Sequence, residues 1–252
     1  MFIQITRAVK ILLIINVVAF ILQNALDQFF GANLFTYFAL TPSILVFKLF
    51  FWQIVTYSFL HADVMHLVFN CVVIALFAGE LETLWGTKRF LKYYLFCAVS
   101  VGVIYVVIQS LGLSENSSIH DPIIGASGAI FGLLTAYGIL FSERTLLFML
   151  LLPMKAKYFV FLIGGVEMMI LLFSRTPSAA FSSLAHLSGM FMGFLYLWFE
   201  TRWRQKNPVQ RTKKRKKRDH LKLLVNTPED LKNVKKQFES DEHSDDDPDT
   251  WH

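Results

Sequence analysis

The stretch Gly125-Ala126-Ser127-Gly128, read with Ala185-His186-Leu187-Ser188-Gly189 and His66-Leu67-Val68-Phe69-Asn70, sets a serine and two histidines inside runs that otherwise read as lipid-embedded helix. Polar and ionisable side chains are costly in hydrocarbon and usually face a bundle interior or a wet cavity. Three of them near equivalent helix ends point to one shared site in an all-α, polytopic membrane protein.

Composition agrees with that class. Of 252 residues, 54% are hydrophobic and 15% aromatic, and the 25 Phe suit a lipid-facing surface. Cys71 and Cys97 both lie in apolar runs without metal-ligand spacing, which argues against a disulfide scaffold or zinc ribbon and leaves them as small apolar helix residues. The net charge of +5 conceals a basic block, Arg202 to Arg218, and an acidic one, Asp241 to Asp249. A basic run directly after a span marks the cytoplasmic side and suits contact with anionic lipid, so residues 202–218 are expected at the lipid surface and no nucleic-acid partner is expected.

Arg7 and Lys10 precede the apolar run Ile11 to Leu22 with no small-x-small cleavage site after it, as in a retained first span at about 8–26. Residues 27–62 mix Phe, Tyr and Trp with Thr41-Pro42-Ser43, Lys48 and Gln53, and read as a long loop lying partly in the membrane. Apolar stretches near 63–79, 90–111, 126–142, 157–174 and 183–200 bring the expected number of spans to six. Thr145 to Leu152 is apolar but stops at Pro153, and is expected as an interfacial connection. The expected domains are a six-helix membrane domain, 1–204, and a charged, disordered cytoplasmic tail, 205–252.

Lys and Arg concentrate in short cytoplasmic loops. With the N-terminus inside, the inner segments hold Arg7, Lys10, Lys88, Arg89, Lys92, Arg144, Lys155, Lys157 and the basic run, while the outer loops hold only Lys48 and Arg175. Both termini are therefore expected in the cytoplasm, with a bacterial plasma membrane as the setting. In that topology spans two, four and six begin at the outer face, and His66, Ser127 and His186 fall within about their first turn, at similar depth.

A serine hydroxyl becomes a useful nucleophile when a neighbouring base takes its proton, and histidine suits that task near neutral pH. Ser127 and His186 are the candidates. No Asp or Glu occurs between Leu184 and Phe199, so the chemistry reads as a Ser-His dyad whose ring is oriented by packing, with Phe131, one turn beyond Ser127, placed to stack on it. His66 and Asn70, at i and i+4, are candidate donors to a developing oxyanion, joined by the backbone N–H of Ser127. Gly128, Gly132 and Ala136 form one small-residue ridge and Ala185, Gly189 and Gly193 another, which lets two helices approach closely.

Together these residues resemble the rhomboid family of intramembrane serine proteases. The similarity spans roughly 50–200: Trp52 through Asn70 with Thr56, His61 and His66; Glu82 and Gly86; Gly125 to Gly128; and Ala185-His186 followed by Gly189 and Gly193. The resemblance implies a six-helix bundle in which Ser127 is nucleophile, His186 general base, and His66 and Asn70 oxyanion stabilisers, acting without cofactor or metal on other membrane proteins in or near their transmembrane segments. The family commonly has Trp-Arg entering span two, where this chain has Trp52-Gln53. That departure bears on how the first loop is held and leaves the dyad intact.

Other polar residues have plainer readings. His61, five before His66 with Asp63 between, lacks a His-Glu-x-x-His helix and reads as a structural loop residue. Glu167, in the middle of span five, reads as a carboxylate bonded to a neighbouring helix or facing a substrate gate, with the structural role preferred. Glu80 and Glu82 are expected to tie the inner loop. Residues 175–182, with Pro177, Ser178 and alanines, read as an outer lid. The rival functions are a catalytically silent relative that binds membrane helices without cutting them, and a transporter, for which clear repeat symmetry is missing.

Overall fold

In the computed structural model, α1 (Arg7–Phe30) leads into three short helices, α2 (Leu34–Phe38), α3 (Pro42–Lys48) and α4 (Gln53–Thr56), and a 3₁₀ turn at Tyr57–Phe59. A continuous helix follows as α5 (Val64–Val73), a π-helical turn (Ile74–Ala78) and α6 (Gly79–Trp85), then α7 (Thr87–Ser110) and α8 (Ser127–Leu140). The hairpin β1 (Thr145–Phe148) and β2 (Leu152–Lys155) precedes α9 (Ala156–Phe173) and α10 (Pro177–Lys206). The structure describes residues 4–31, 33–112, 118–148, 152–206 and 232. The expected disordered tail and the basic run beyond Lys206 therefore lie outside the described residues, apart from Lys232.

Residues Met1–Phe199 form one compact unit and Glu200–His252 a second. In the second, Arg204 pairs with Glu200 one turn away at 2.9 Å. In the first, Glu82 ties three helix ends. Its carboxylate accepts from the Ala8 and Val9 amides at 3.1 Å, from the Thr6 hydroxyl, and from the Thr87 hydroxyl at 2.6 Å. First-turn amides have no partner within their own helix, so an anion there satisfies donors and the helix dipole together. Glu80 accepts from Tyr137 at 3.2 Å and pairs with Arg144.

Among the described residues, five helices are long and apolar enough to cross a membrane: Arg7–Phe30, Val64–Trp85, Thr87–Ser110, Ala156–Phe173 and Pro177–Lys206. The sixth expected span is shorter. With 14 residues α8 reaches about 21 Å at a rise of about 1.5 Å per residue, against ~30 Å of hydrocarbon. Its apolar sequence serves burial in protein: ten of its residues, from Gly128 to Gly138, are buried, whereas α9 exposes Phe161, Val166, Met169, Leu172 and Phe173. Composition gives the two cases the same signature.

Three local expectations are also corrected. Residues 27–62 contain short helices, not only loop. In the expected connection at 145–152, β1 pairs antiparallel with β2, so that Leu146 faces Met154 and Thr145 faces Lys155. The expected lid, 175–182, is mostly the start of α10, because Pro177 at the first helical turn and the alanines after it favour helix. His186 consequently stands in the third turn of its helix, deeper than the first.

Candidate active site

Asp63 fixes the start of α5. Its backbone is extended and its carboxylate accepts from the His66 amide at 2.8 Å, an N-cap that sets His66 in the first turn and Asn70 one turn on. The Ala62 amide approaches His66 Nδ1 at 3.5 Å. An amide can only donate, so Nδ1 accepts and the neutral ring carries its proton on Nε2. Asn70 is 5% exposed, and its Nδ2 has no hydrogen-bond partner among the described residues. A buried donor without a partner costs about 1–3 kcal/mol, which is sustained only where something else is gained.

Gly125, in the loop that enters α8, packs against this helix at His66. Its φ of +110° favours glycine, and a Cβ there would lie 2.8 Å from both Cε1 and Nε2 of His66 and 3.6 Å from Ser127 Oγ. His66 Nε2 and the Ser127 hydroxyl thus flank one point of backbone. The Gly125 amide donates to the Tyr57 carbonyl at 2.9 Å, holding that turn against the preceding loop.

The two small-residue ridges meet. A methyl group on Gly189 would overlap the Gly128 carbonyl oxygen, and one on Gly193 would come to 3.0 Å from Gly132 Cα. One turn beyond Ser127, the Phe131 ring lies parallel to the His186 imidazole, with centroids 4.1 Å apart and planes 5° from coplanar. The other edge of that imidazole faces an acid: His186 Nδ1 is 3.0 Å from Glu167 Oε1 in a bent approach, with side-chain exposures of 15% and 13%. The Ser183 hydroxyl also interacts with that carboxylate.

His61 is fully buried, edge-on to His66 at 5.2 Å between centroids, and both its ring nitrogens lack partners among the described residues. Burial pushes this imidazole down to about 4, with the neighbouring His66 adding to the effect. Among the described residues no three or more His, Cys, Asp or Glu gather as a metal cluster. Gln53, fully buried, ties this segment down: its Oε1 accepts from the Thr41 amide at 3.3 Å and its Nε2 donates to the Thr36 and Tyr37 carbonyls at 3.0 and 3.4 Å.

Residues 48–203 match the family profile described as Rhomboid domain, which is more than half of the chain. The chain belongs to the rhomboid family. It is accordingly an integral membrane protein with an all-α, polytopic fold. It is 29% identical over 155 residues to Rhomboid protein 1, mitochondrial, of Saccharomyces cerevisiae, covering 58% of this chain and 41% of that one. It is 36% identical over 96 residues to Rhomboid-like protease 3 of Toxoplasma gondii, covering 38% and 32%. Rhomboid-like protein 19 of Arabidopsis thaliana is 26% identical over 212 residues, covering 82% and 64%. The matched part thus spans less than two thirds of each of these rhomboids.

The sequence reading missed Glu167 as a neighbour of His186, Asp63 as the cap that sets His66, and Gln53 as the loop anchor. Glu167 carried a signal as a lone carboxylate in an apolar span, Gln53 as the departure after Trp52, and Asp63 as a residue type suited to open a helix.

Proposed function

We propose that this rhomboid is an intramembrane serine endopeptidase that cuts transmembrane segments of other membrane proteins, with Ser127 as nucleophile and His186 as general base. The observation that carries the reading is that Ser127 Oγ and His66 Nε2 both border Gly125, with the unpaired Asn70 amide one turn beyond His66 on α5. The relative named Rhomboid-like protease 3 supports it. As Oγ bonds to the scissile carbonyl carbon, its proton passes to His186 Nε2 and the carbonyl π pair moves onto oxygen. The imidazolium then protonates the departing amine, and water repeats the sequence on the acyl-enzyme. His66 and Asn70 donate to the oxyanion, a contribution of which one donor is typically worth about 10²–10³ in rate.

A peptide bond inside a helix is shielded, so the substrates are membrane helices with small, helix-weakening residues near the cut. The bias of Lys and Arg to the inner loops supports cytoplasmic termini, and a bacterial plasma membrane is the setting we assign. The test is cleavage of a reporter membrane substrate and labelling by a fluorophosphonate. Wild type is expected to cut and to label, and Ser127→Ala and His186→Ala to do neither. Full cleavage by Ser127→Ala would remove Ser127 as nucleophile, and a wild type that neither cuts nor labels would leave a silent helix-binding relative.

A further inference from the structure

We infer that Glu167 is a positioning residue for His186, so that this chain works with a carboxylate-imidazole-hydroxyl relay assembled from three helices. The inference rests on the function proposed above.

Glu167 comes from α9, His186 from α10 and Ser127 from α8. An imidazole has two nitrogens, and the one that faces Glu167 Oε1, at 3.0 Å, is Nδ1. That leaves Nε2 for exchange with a hydroxyl. The Phe131 ring, stacked 4.1 Å away and nearly parallel, fixes the plane of the imidazole but leaves rotation within that plane free. The resting approach is too bent for a hydrogen bond, and a small rotation of the ring within its plane turns Nδ1–H onto the carboxylate, which selects the Nδ1–H tautomer that a base acting through Nε2 requires. The carboxylate also offsets the positive charge that the ring acquires when it takes a proton, and at exposures of 15% and 13% water screens the pair only in part. Throughout the cycle the proton moves between Ser127 Oγ, Nε2 and the leaving amine, while Glu167 keeps its charge. A buried carboxylate in an apolar span needs a compensating partner, and the side chains that interact with it are His186 and Ser183. The titratable groups facing His186 are Glu167 from α9 and His66 from α5.

The experiment compares the rate of fluorophosphonate labelling for the full chain, Glu167→Gln and Glu167→Asp, with thermal unfolding of each as a folding control. Gln keeps the shape and a hydrogen-bonding oxygen but not the charge. The expected result is a loss of at least about tenfold in rate. Glu167→Asp, which keeps the charge, should recover part of that loss. Labelling of Glu167→Gln at the wild-type rate would overturn the inference. Should Glu167→Gln not fold, or wild type not label, ¹⁵N imidazole shifts of His186 in the native chain decide it. The proton is expected on Nδ1 at neutral pH, and a ring protonated on Nε2 alone would overturn the inference whether or not the protein is a protease.

Discussion

Gly128 and Gly189 pack backbone against backbone, with the carbonyl oxygen of one filling the space where the other would carry a side chain. The hydroxyl and the imidazole flank this contact, one residue before Gly128 and three before Gly189. The separation of the two helices is thus set at the glycines and inherited by Ser127 and His186.

Gly189→Ala is expected to destabilise the protein by about 1–3 kcal/mol, because the new methyl meets rigid backbone and not a movable side chain. Thermal unfolding in detergent checks this, with Gly165→Ala as the contrast. Nothing lies within 4 Å of a Cβ at Gly165, so that variant should unfold no earlier than wild type. Equal behaviour of the two would mean that the close approach does not limit stability.

Gln53→Ala leaves the Thr41 amide and the Thr36 carbonyl without their buried partner, while the Tyr37 carbonyl keeps its bond from the Trp52 indole at 2.9 Å. The expected cost is about 1–3 kcal/mol. Loosening should concentrate in residues 34–59, and limited proteolysis would show new cuts there before the rest of the bundle opens. Cuts spread evenly along the chain would argue against Gln53 as the anchor of this segment.

His61 gives stability a pH dependence of defined sign. Its folded value of about 4 lies below the ordinary 6.5, so between those limits the unfolded chain binds the extra proton. Stability from this group is complete above about pH 6.5 and is lost as pH falls toward 4. Unfolding temperatures measured across that window should drop for wild type and drop less for His61→Asn. An unchanged slope in the variant would assign the acid sensitivity to other groups.

Local spacing made much of the bundle readable in advance. The i+4 rule put Phe131 and the glycine ridge on the face of α8 that carries Ser127, and the lone carboxylate at 167 was visible as an expense. What spacing could not supply was the partner of that carboxylate, since the meeting of α9 with α10 is a tertiary fact that nothing on the helix of His186 announces. The length of α8 was misjudged for a related reason. An apolar run looks the same whether lipid or protein covers it, and the stop at Leu140 and the turn at Gly125 are set by neighbours. The hairpin at 145–155 was hidden because a short apolar run before proline suits an interfacial coil equally well.

A helix of 14 residues in a slab of ~30 Å leaves a vertical shortfall of roughly 9 Å. Ser127 is the first residue of that helix, so the missing height lies over the hydroxyl if the helix is seated toward the inner side. The hydrolysis proposed above consumes a water molecule, which the hydrocarbon does not provide. Truncating one interior column is a way to sink a well for solvent above the hydroxyl. Adding one turn to the start of α8 would raise its floor by about 5.4 Å, toward the headgroups.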